Sequence, residues 1–171
     1  MPVKIYLVRH GETIQNKEGV IQGHQPGQLN ARGIKQSEFL ATRLSEVGFR
    51  RILCSDLDRA KQTLAPYLDL DTGRKVIYRK DLRERNLGEY QGMKRHEIGY
   101  SRLELQAFQN PDEGESLKEL FQRARTLLFE FEETGDGNTL VVSHGGLIKA
   151  MVAVIQEKTV EEFYEIENIH N

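Results

Sequence analysis

Two short runs hold most of the residues in this chain that could do chemistry. In the first, the apolar stretch Ile5-Tyr6-Leu7-Val8 ends at Arg9-His10-Gly11. In the second, Leu140-Val141-Val142 ends at Ser143-His144-Gly145-Gly146. A neutral imidazole is a nucleophile near neutral pH and needs no metal to activate it. An arginine beside it brings a permanent charge and a fixed fork of donors that suits phosphate oxygens. Gly145 and Gly146 leave backbone N–H groups bare at a helix start, which also favours an anion. Arg59 opens the helix after a further apolar run, Arg51-Ile52-Leu53-Cys54-Ser55, and offers a second guanidinium. Attack by one histidine on a phosphoryl group, with the other imidazole and both guanidinium groups around its oxygens, would give a phosphohistidine that water could hydrolyse. The departing alkoxide needs a proton. Glu84, in the loop after a third strand, is the best-placed carboxyl group to supply it.

The elements that must position these residues alternate in type. Val3 to Val8 reads as a buried strand, since such strands are near-continuous apolar runs. Residues 11–30 carry four glycines and read as a long loop. Asn30 can cap a helix over Ile34, Ser37, Leu40, Ala41, Leu44 and Val47, which Gly48 can end. After the strand Arg51–Ser55 comes a helix that Pro66 interrupts or bends. Val76-Ile77-Tyr78 is the third strand, and a charged loop runs from Leu82 to Gly92. Residues 94–109 are weakly helical, and Pro111 to Gly114 make a turn. Ser116-Leu117-Lys118-Glu119 has the form of a capping box. It opens a helix whose stripe is Leu117, Leu120, Phe121, Ala124, Leu127, Leu128 and Phe131. Gly135 and Gly137 turn into the strand Thr139–Ser143, the apolar helix Leu147–Ile155 follows, and Thr159-Val160-Glu161-Glu162 is a second capping box. Strands alternating with helices predict an α/β fold: a three-layer sandwich with a mainly parallel sheet and helices on both faces. Ligands in such sheets bind beyond the carboxyl ends of the strands, where both histidines stand.

Composition narrows the function classes. With 171 residues, 38% hydrophobic and 29% charged, the chain has the make-up of one soluble globular domain spanning residues 1–171. A net charge of −2 argues against a general nucleic-acid surface. Cys54 is the single cysteine, so no disulfide can form within the chain, which fits a cytoplasmic location. No run approaches the length of a membrane span.

These runs resemble the signature motifs of the histidine phosphatase superfamily, the phosphoglycerate mutase-like group. Leu7-Val8-Arg9-His10-Gly11-Glu12-Thr13 with Asn16 is similar to the first motif, and Ser55-Asp56-Leu57 with Arg59-Ala60 and Gln62-Thr63 to the second. Leu82-Arg83-Glu84, Gly114-Glu115-Ser116 and Val142-Ser143-His144-Gly145-Gly146 resemble the rest, in the family's order. The resemblance implies His10 as nucleophile, Arg9, Arg59 and His144 as the phosphate pocket, and Glu84 as proton donor. It also implies substrate contacts at Gly11, Asn16, Gln22, Gly23 and Gly145, and neither metal nor cofactor. The expected partner is a small-molecule phosphomonoester, with no nucleic acid or membrane; a homodimer is left open. Two departures stand out. The loop Gly23–Asn30 lacks the Asp and the Pro-Leu pair often found there, which makes His24 a candidate substrate contact. The chain also stops at Ile169-His170-Asn171, where many members continue into a further strand. The expectation is a C-terminal strand that is missing or truncated.

Other chemistries fit less well. Asp56-Leu57-Asp58 suggests an aspartyl phosphatase, but no paired carboxylates follow a later strand to complete a magnesium site. Cys54 and Arg59 are separated by four residues, not the five of a cysteine-phosphatase loop. A cofactor-dependent phosphoglycerate mutase is the nearer alternative. Mutases must keep water from the phosphohistidine, and the roughly thirty residues between Glu84 and Gly114 leave little room for a lid. Leu87 also stands where mutases usually have a tyrosine. A non-catalytic phospho-ligand-binding protein would typically lack a histidine or the acid, and here all are present.

Overall fold

A computed structural model of the chain describes residues 4–70, 73, 75–98, 108–133 and 137–167. Four strands form one sheet: β1 (Lys4–Arg9), β2 (Arg51–Ser55), β3 (Val76–Arg79) and β4 (Asn138–Ser143). Their order is β1-β4-β2-β3, and all three pairings are parallel. β4 lies between β1 and β2, so its Leu140, Val141 and Val142 are fully buried on both faces. That double burial is the physical reason the strand reads as an unbroken apolar run.

Side chains of alternate residues point to opposite faces. Tyr6, Val8, Ile52, Cys54, Leu140 and Val142 join one apolar cluster with α2 (Ala31–Ser45) and α3 (Asp58–Leu70). Ile5, Leu7, Leu53 and Val141 join the other with α4 (Leu117–Glu133) and α5 (Gly145–Ile155). The three-layer α/β sandwich with helices on both faces is therefore present. The predicted stripe of α4 is buried at all seven positions. Its capping box is formed, with Ser116 and Glu119 bonded reciprocally.

Local expectations hold unevenly. Asn30 caps α2 by accepting from Gly33 N–H at 2.9 Å. The helix stops at Ser45, before Gly48, which does not take the left-handed conformation a terminal cap requires. α3 runs through Pro66 to Leu70 without interruption. The first loop holds a four-residue helix, α1 (Ile14–Lys17), capped by Thr13. Thr159 and Glu162 bond as expected, but they open a 3₁₀ run at Glu161–Glu165 in place of an α-helix. Of the weakly helical stretch, Arg95–Glu97 is 3₁₀ and residues 99–107 lie outside the described residues. Val3, Gly135 and the terminal Ile169-His170-Asn171 lie outside them too. No helix among the described residues is long and apolar enough to cross a membrane.

Leu140 sits at the sheet's centre with no exposure. Leu140→Ala is expected to cost about 2–5 kcal/mol of folding stability through lost transfer energy and an unfilled cavity. Urea unfolding of the two proteins checks this, and a loss under about 1 kcal/mol would contradict a packed centre at β4.

Candidate active site

The pairing of β1 with β4 brings the two histidines to one end of the sheet. Arg9 lies in register with Ser143, and His10 N–H donates to Ser143 O at 3.0 Å. The two imidazole rings stand with centroids 5.1 Å apart. A cavity of about 450 Å³ opens beside them, and Arg9, His10, Arg59, Glu84, Gly145 and Gly146 are among its walls.

His10 is 4% exposed. Its Nδ1 lies 2.8 Å from Gly11 O. A carbonyl only accepts, so Nδ1 carries the proton and the ring's lone pair sits on Nε2. That nitrogen accepts from Arg59 Nε at 3.3 Å, a long contact. Burial first, then the Arg59 and Arg9 charges, push the His10 pKa down to about 3; the Gly11 bond partly opposes them. His10 is thus neutral at physiological pH. His144 is fully buried behind it. Its Nε2 shares a 2.7 Å hydrogen bond with Ser55 Oγ, whereas its buried Nδ1 has no partner among the described residues. Burial and the nearby Arg59 charge hold His144 neutral as well.

Arg59 is 1% exposed, yet it stays cationic. Its Nη2 donates to Gly23 O at 2.7 Å and its Nη1 to Gln25 O at 3.1 Å. Burial lowers its pKa to about 10, with Glu84 opposing and Arg9 adding to the fall. Gly145 lets the Arg9 guanidinium approach, since a Cβ there would stand 3.2 Å from Arg9 Nε. Glu84 accepts from Arg85 N–H at 2.9 Å and from Gly146 N–H at 3.1 Å, which aims its carboxylate at the start of α5. A Cβ on Gly146 would lie 2.4 Å from Glu84 Oε1, so only glycine admits the carboxylate there. The neighbouring cations turn elsewhere: Arg83 forks onto Asp56, and Arg85 donates to the Phe108, Gln109 and Glu115 carbonyls.

Of the loop residues expected here, Asn16, Gln22 and Gly23 line the cavity. Gln22 Oε1 accepts from Thr13 Oγ1 and Asn16 Nδ2, while its buried Nε2 has no partner among the described residues. Gly11 is not brought to the cavity. Its N–H donates to Thr63 Oγ1 at 2.9 Å, and a Cβ would stand 2.7 Å from Gly33 O. It serves the close approach of α2 to the turn after β1. His24, a candidate substrate contact, instead bonds Glu84 O at 2.8 Å and ties the first loop to the third.

Thr63 and Ser55 support the two histidines but carry no chemistry that spacing alone would reveal. Lys149, Arg95, Phe163 and Tyr164 also line the cavity and were not anticipated. Lys149 left a signal, as the one charge in the apolar helix after His144. The rival nucleophiles are spent. The Arg83 fork holds the Asp56 carboxylate, Asp58 pairs with Lys61, and the Cys54 thiol is buried, bonded to Ser55 O and pushed up to about 12, mainly by burial. Among the described residues no group of three or more His, Cys, Asp or Glu is placed to hold a metal ion.

Known proteins resemble this chain in sequence and in fold. The model of the histidine phosphatase superfamily (branch 1) matches residues 5–171. Phosphoglycerate mutase-like protein 4 of Arabidopsis thaliana is 38% identical, over 86% of this chain and 69% of its own length. The adenosylcobalamin/alpha-ribazole phosphatase of Salmonella typhimurium is 32% identical, over 88% of this chain and 78% of its own. The crystal structure of the alpha-ribazole phosphatase from Shigella flexneri superposes with a TM-score of 0.83 at 30% identity, covering 98% of this chain and 86% of that one.

The depressed His10 pKa has a consequence for stability. Its folded value, about 3, lies below the ordinary 6.5, so the unfolded chain binds the proton first. Stability is fully present above pH 6.5 and is lost as pH falls towards 3. At about 1.4 kcal/mol per pH unit, His10 alone should account for about 3 kcal/mol lost by pH 4. Urea unfolding between pH 7 and 4 should show a shallower loss in His10→Asn than in the wild type. Equal slopes would refute it.

Proposed function

The chain belongs to the histidine phosphatase superfamily, and on that footing we propose that it hydrolyses a small phosphorylated metabolite through a phosphohistidine on His10. One observation carries the reading: the Nδ1–Gly11 bond leaves Nε2 as the basic nitrogen of a neutral ring, at the wall of a cavity shared with Arg9, Arg59 and Glu84. In the first step Nε2 attacks phosphorus. The N–P bond forms, the P–O bond to the substrate breaks, and Glu84 hands its proton to the departing oxygen. In the second, the Glu84 carboxylate takes a proton from water, the hydroxide attacks phosphorus, and the N–P bond breaks to release phosphate and neutral His10. Arg9 and Arg59 hold the equatorial oxygens throughout. Preorganised charge of this kind supplies the largest share of rate in most enzymes.

The orphaned nitrogens fit the same ligand. His144 Nδ1 and Gln22 Nε2 are buried and unpartnered among the described residues, and either can donate to a phosphate oxygen. The N–H of Gly145, first residue of α5, adds a backbone donor. No metal enters this sequence of steps. Release of inorganic phosphate from 3-phosphoglycerate, in place of its isomerisation to 2-phosphoglycerate, separates hydrolysis from the mutase reading.

His10→Ala is expected to lose ~10⁴-fold or more in turnover of p-nitrophenyl phosphate, as the loss of a nucleophile does elsewhere. Normal hydrolysis by that variant would end the proposal. Glu84→Gln should slow an alkyl phosphate by about 10²–10⁴-fold, the usual span for a general acid. It should slow p-nitrophenyl phosphate far less, because that leaving group scarcely needs a proton. Equal losses on both substrates, measured side by side, would remove Glu84 from the acid's role.

A further inference from the structure

Two groups that must act together on one phosphate are held by different loops. Arg59 is fixed by Gly23 O and Gln25 O of the first loop. Glu84 belongs to the third. His24 stands between those two carbonyls, and its ring crosses to the other loop, where Nε2 lies 2.8 Å from Glu84 O. A carbonyl only accepts, so that nitrogen carries the proton and donates it. His24 is half-buried and is not among the cavity's walls, so its ring serves the backbone of the acid and not the space a substrate would take. Among the described residues it is the only donor to Glu84 O.

Glu84 O and Arg85 N–H belong to a single peptide group, which is planar. His24 donates to the oxygen on one side of that plane. The N–H on the other side donates to the Glu84 carboxylate at 2.9 Å. Turning the peptide would break both bonds at once. A bond accepted at a carbonyl also polarises the amide and strengthens its N–H as a donor. The carboxylate's second anchor, Gly146 N–H, is longer at 3.1 Å. The aim of the carboxylate therefore depends on the peptide that the His24 ring holds. The first loop has other ties that do not involve the ring: His24 N–H to Gln91 Oε1, Ile21 N–H to Met93 O and Gly92 N–H to Ile21 O. Arg59 should thus keep its two carbonyls when only the ring is changed.

We propose that His24 is a positioning residue for the proton donor: its ring pins the Glu84–Arg85 peptide, so that the carboxylate stays aimed at the leaving group while the carbonyls on either side of His24 hold Arg59. One loop residue then sets the spacing between the cation that grips the phosphate and the acid that frees the alcohol. This assignment rests on Glu84 acting as the acid.

The test compares kcat/KM for butyl phosphate and p-nitrophenyl phosphate, since that ratio reports the steps up to phosphohistidine formation, where the acid acts. His24→Leu is expected to slow butyl phosphate about tenfold, the size of one hydrogen bond read as a rate, and p-nitrophenyl phosphate far less. His24→Gln, whose amide N–H can stand where Nε2 stood, should keep most of the rate on butyl phosphate. His24→Asn, an amide too short to reach Glu84 O, should not. In the Glu84→Gln protein, His24→Leu should cost nothing further, because a group that acts through Glu84 has no acid left to position. Equal losses on both substrates, losses that multiply in the double variant, or equal rates for His24→Gln and His24→Asn would overturn the assignment. The Gln and Asn pair carries the test where His24→Leu fails to fold. A Glu84→Gln variant without the contrast between leaving groups would sink the acid, and the positioning with it. That contrast in Glu84→Gln but not in His24→Leu would sink the positioning alone.

Discussion

The parallel pairing of β1 with β4 is the constraint on which the rest of the site depends. It sets Arg9 opposite Ser143 and bonds His10 N–H to Ser143 O, so residues more than a hundred positions apart in sequence end at one level. A one-residue slip would turn every side chain of the strand to the other face. It would also carry the His10 ring away from His144. The register is protected by burial on both sides, since Tyr6 and Val8 face α2 and α3 while Ile5 and Leu7 face α4 and α5. Packing on two faces thus holds the geometry at the strand ends, where no packing of their own could.

The site separates charge by burial and by hydrogen bonding. Both histidines are kept neutral by desolvation and by neighbouring cations. Arg59 is just as buried but remains charged, because Gly23 and Gln25 turn carbonyls towards it. The first loop is therefore part of the electrostatics. It is held in place by bonds to the third loop: Ile21 N–H to Met93 O, Gly92 N–H to Ile21 O, and His24 to Glu84 O. A nucleophile that must be neutral and a pocket that must be positive coexist within one cavity because different partners are aimed at each group.

Much of this was legible in the chain itself. The alternation of apolar runs with helical stripes implied the sandwich, because each strand and each amphipathic helix can bury its apolar residues only in that way. Arg9, His10, Arg59, Glu84, His144 and Gly145 were legible because their types and positions at element ends point to phosphate chemistry. Asn16, Gln22 and Gly23 came from family resemblance, since no local rule of spacing marks an amide in a loop. At Gly11 the need for a missing side chain comes from Gly33 O, a neighbour that only the docking of α2 supplies, so it has no local signature. Gly48 failed as a helix end because capping depends on a backbone conformation that the residue permits but does not impose.

What the sequence determined by itself is the set of chemical groups and the elements that end in them, for both follow from residue type and short-range period. What only the tertiary structure decided is which groups meet and what each is left free to do. The strand order placed β4 beside β1, so the two histidines became neighbours. The Gly11 bond set the tautomer of His10, and the Ser55 bond took one nitrogen of His144 and left its Nδ1 without a partner among the described residues. Arg83 was turned to Asp56 and Glu84 to the cavity, though the two stand next to each other in the chain. Lys149, an isolated charge in an apolar helix, became a cavity wall once the chain brought Phe163 and Tyr164 against it. Such outcomes depend on contacts between distant residues, and a contact has no signature at either residue alone.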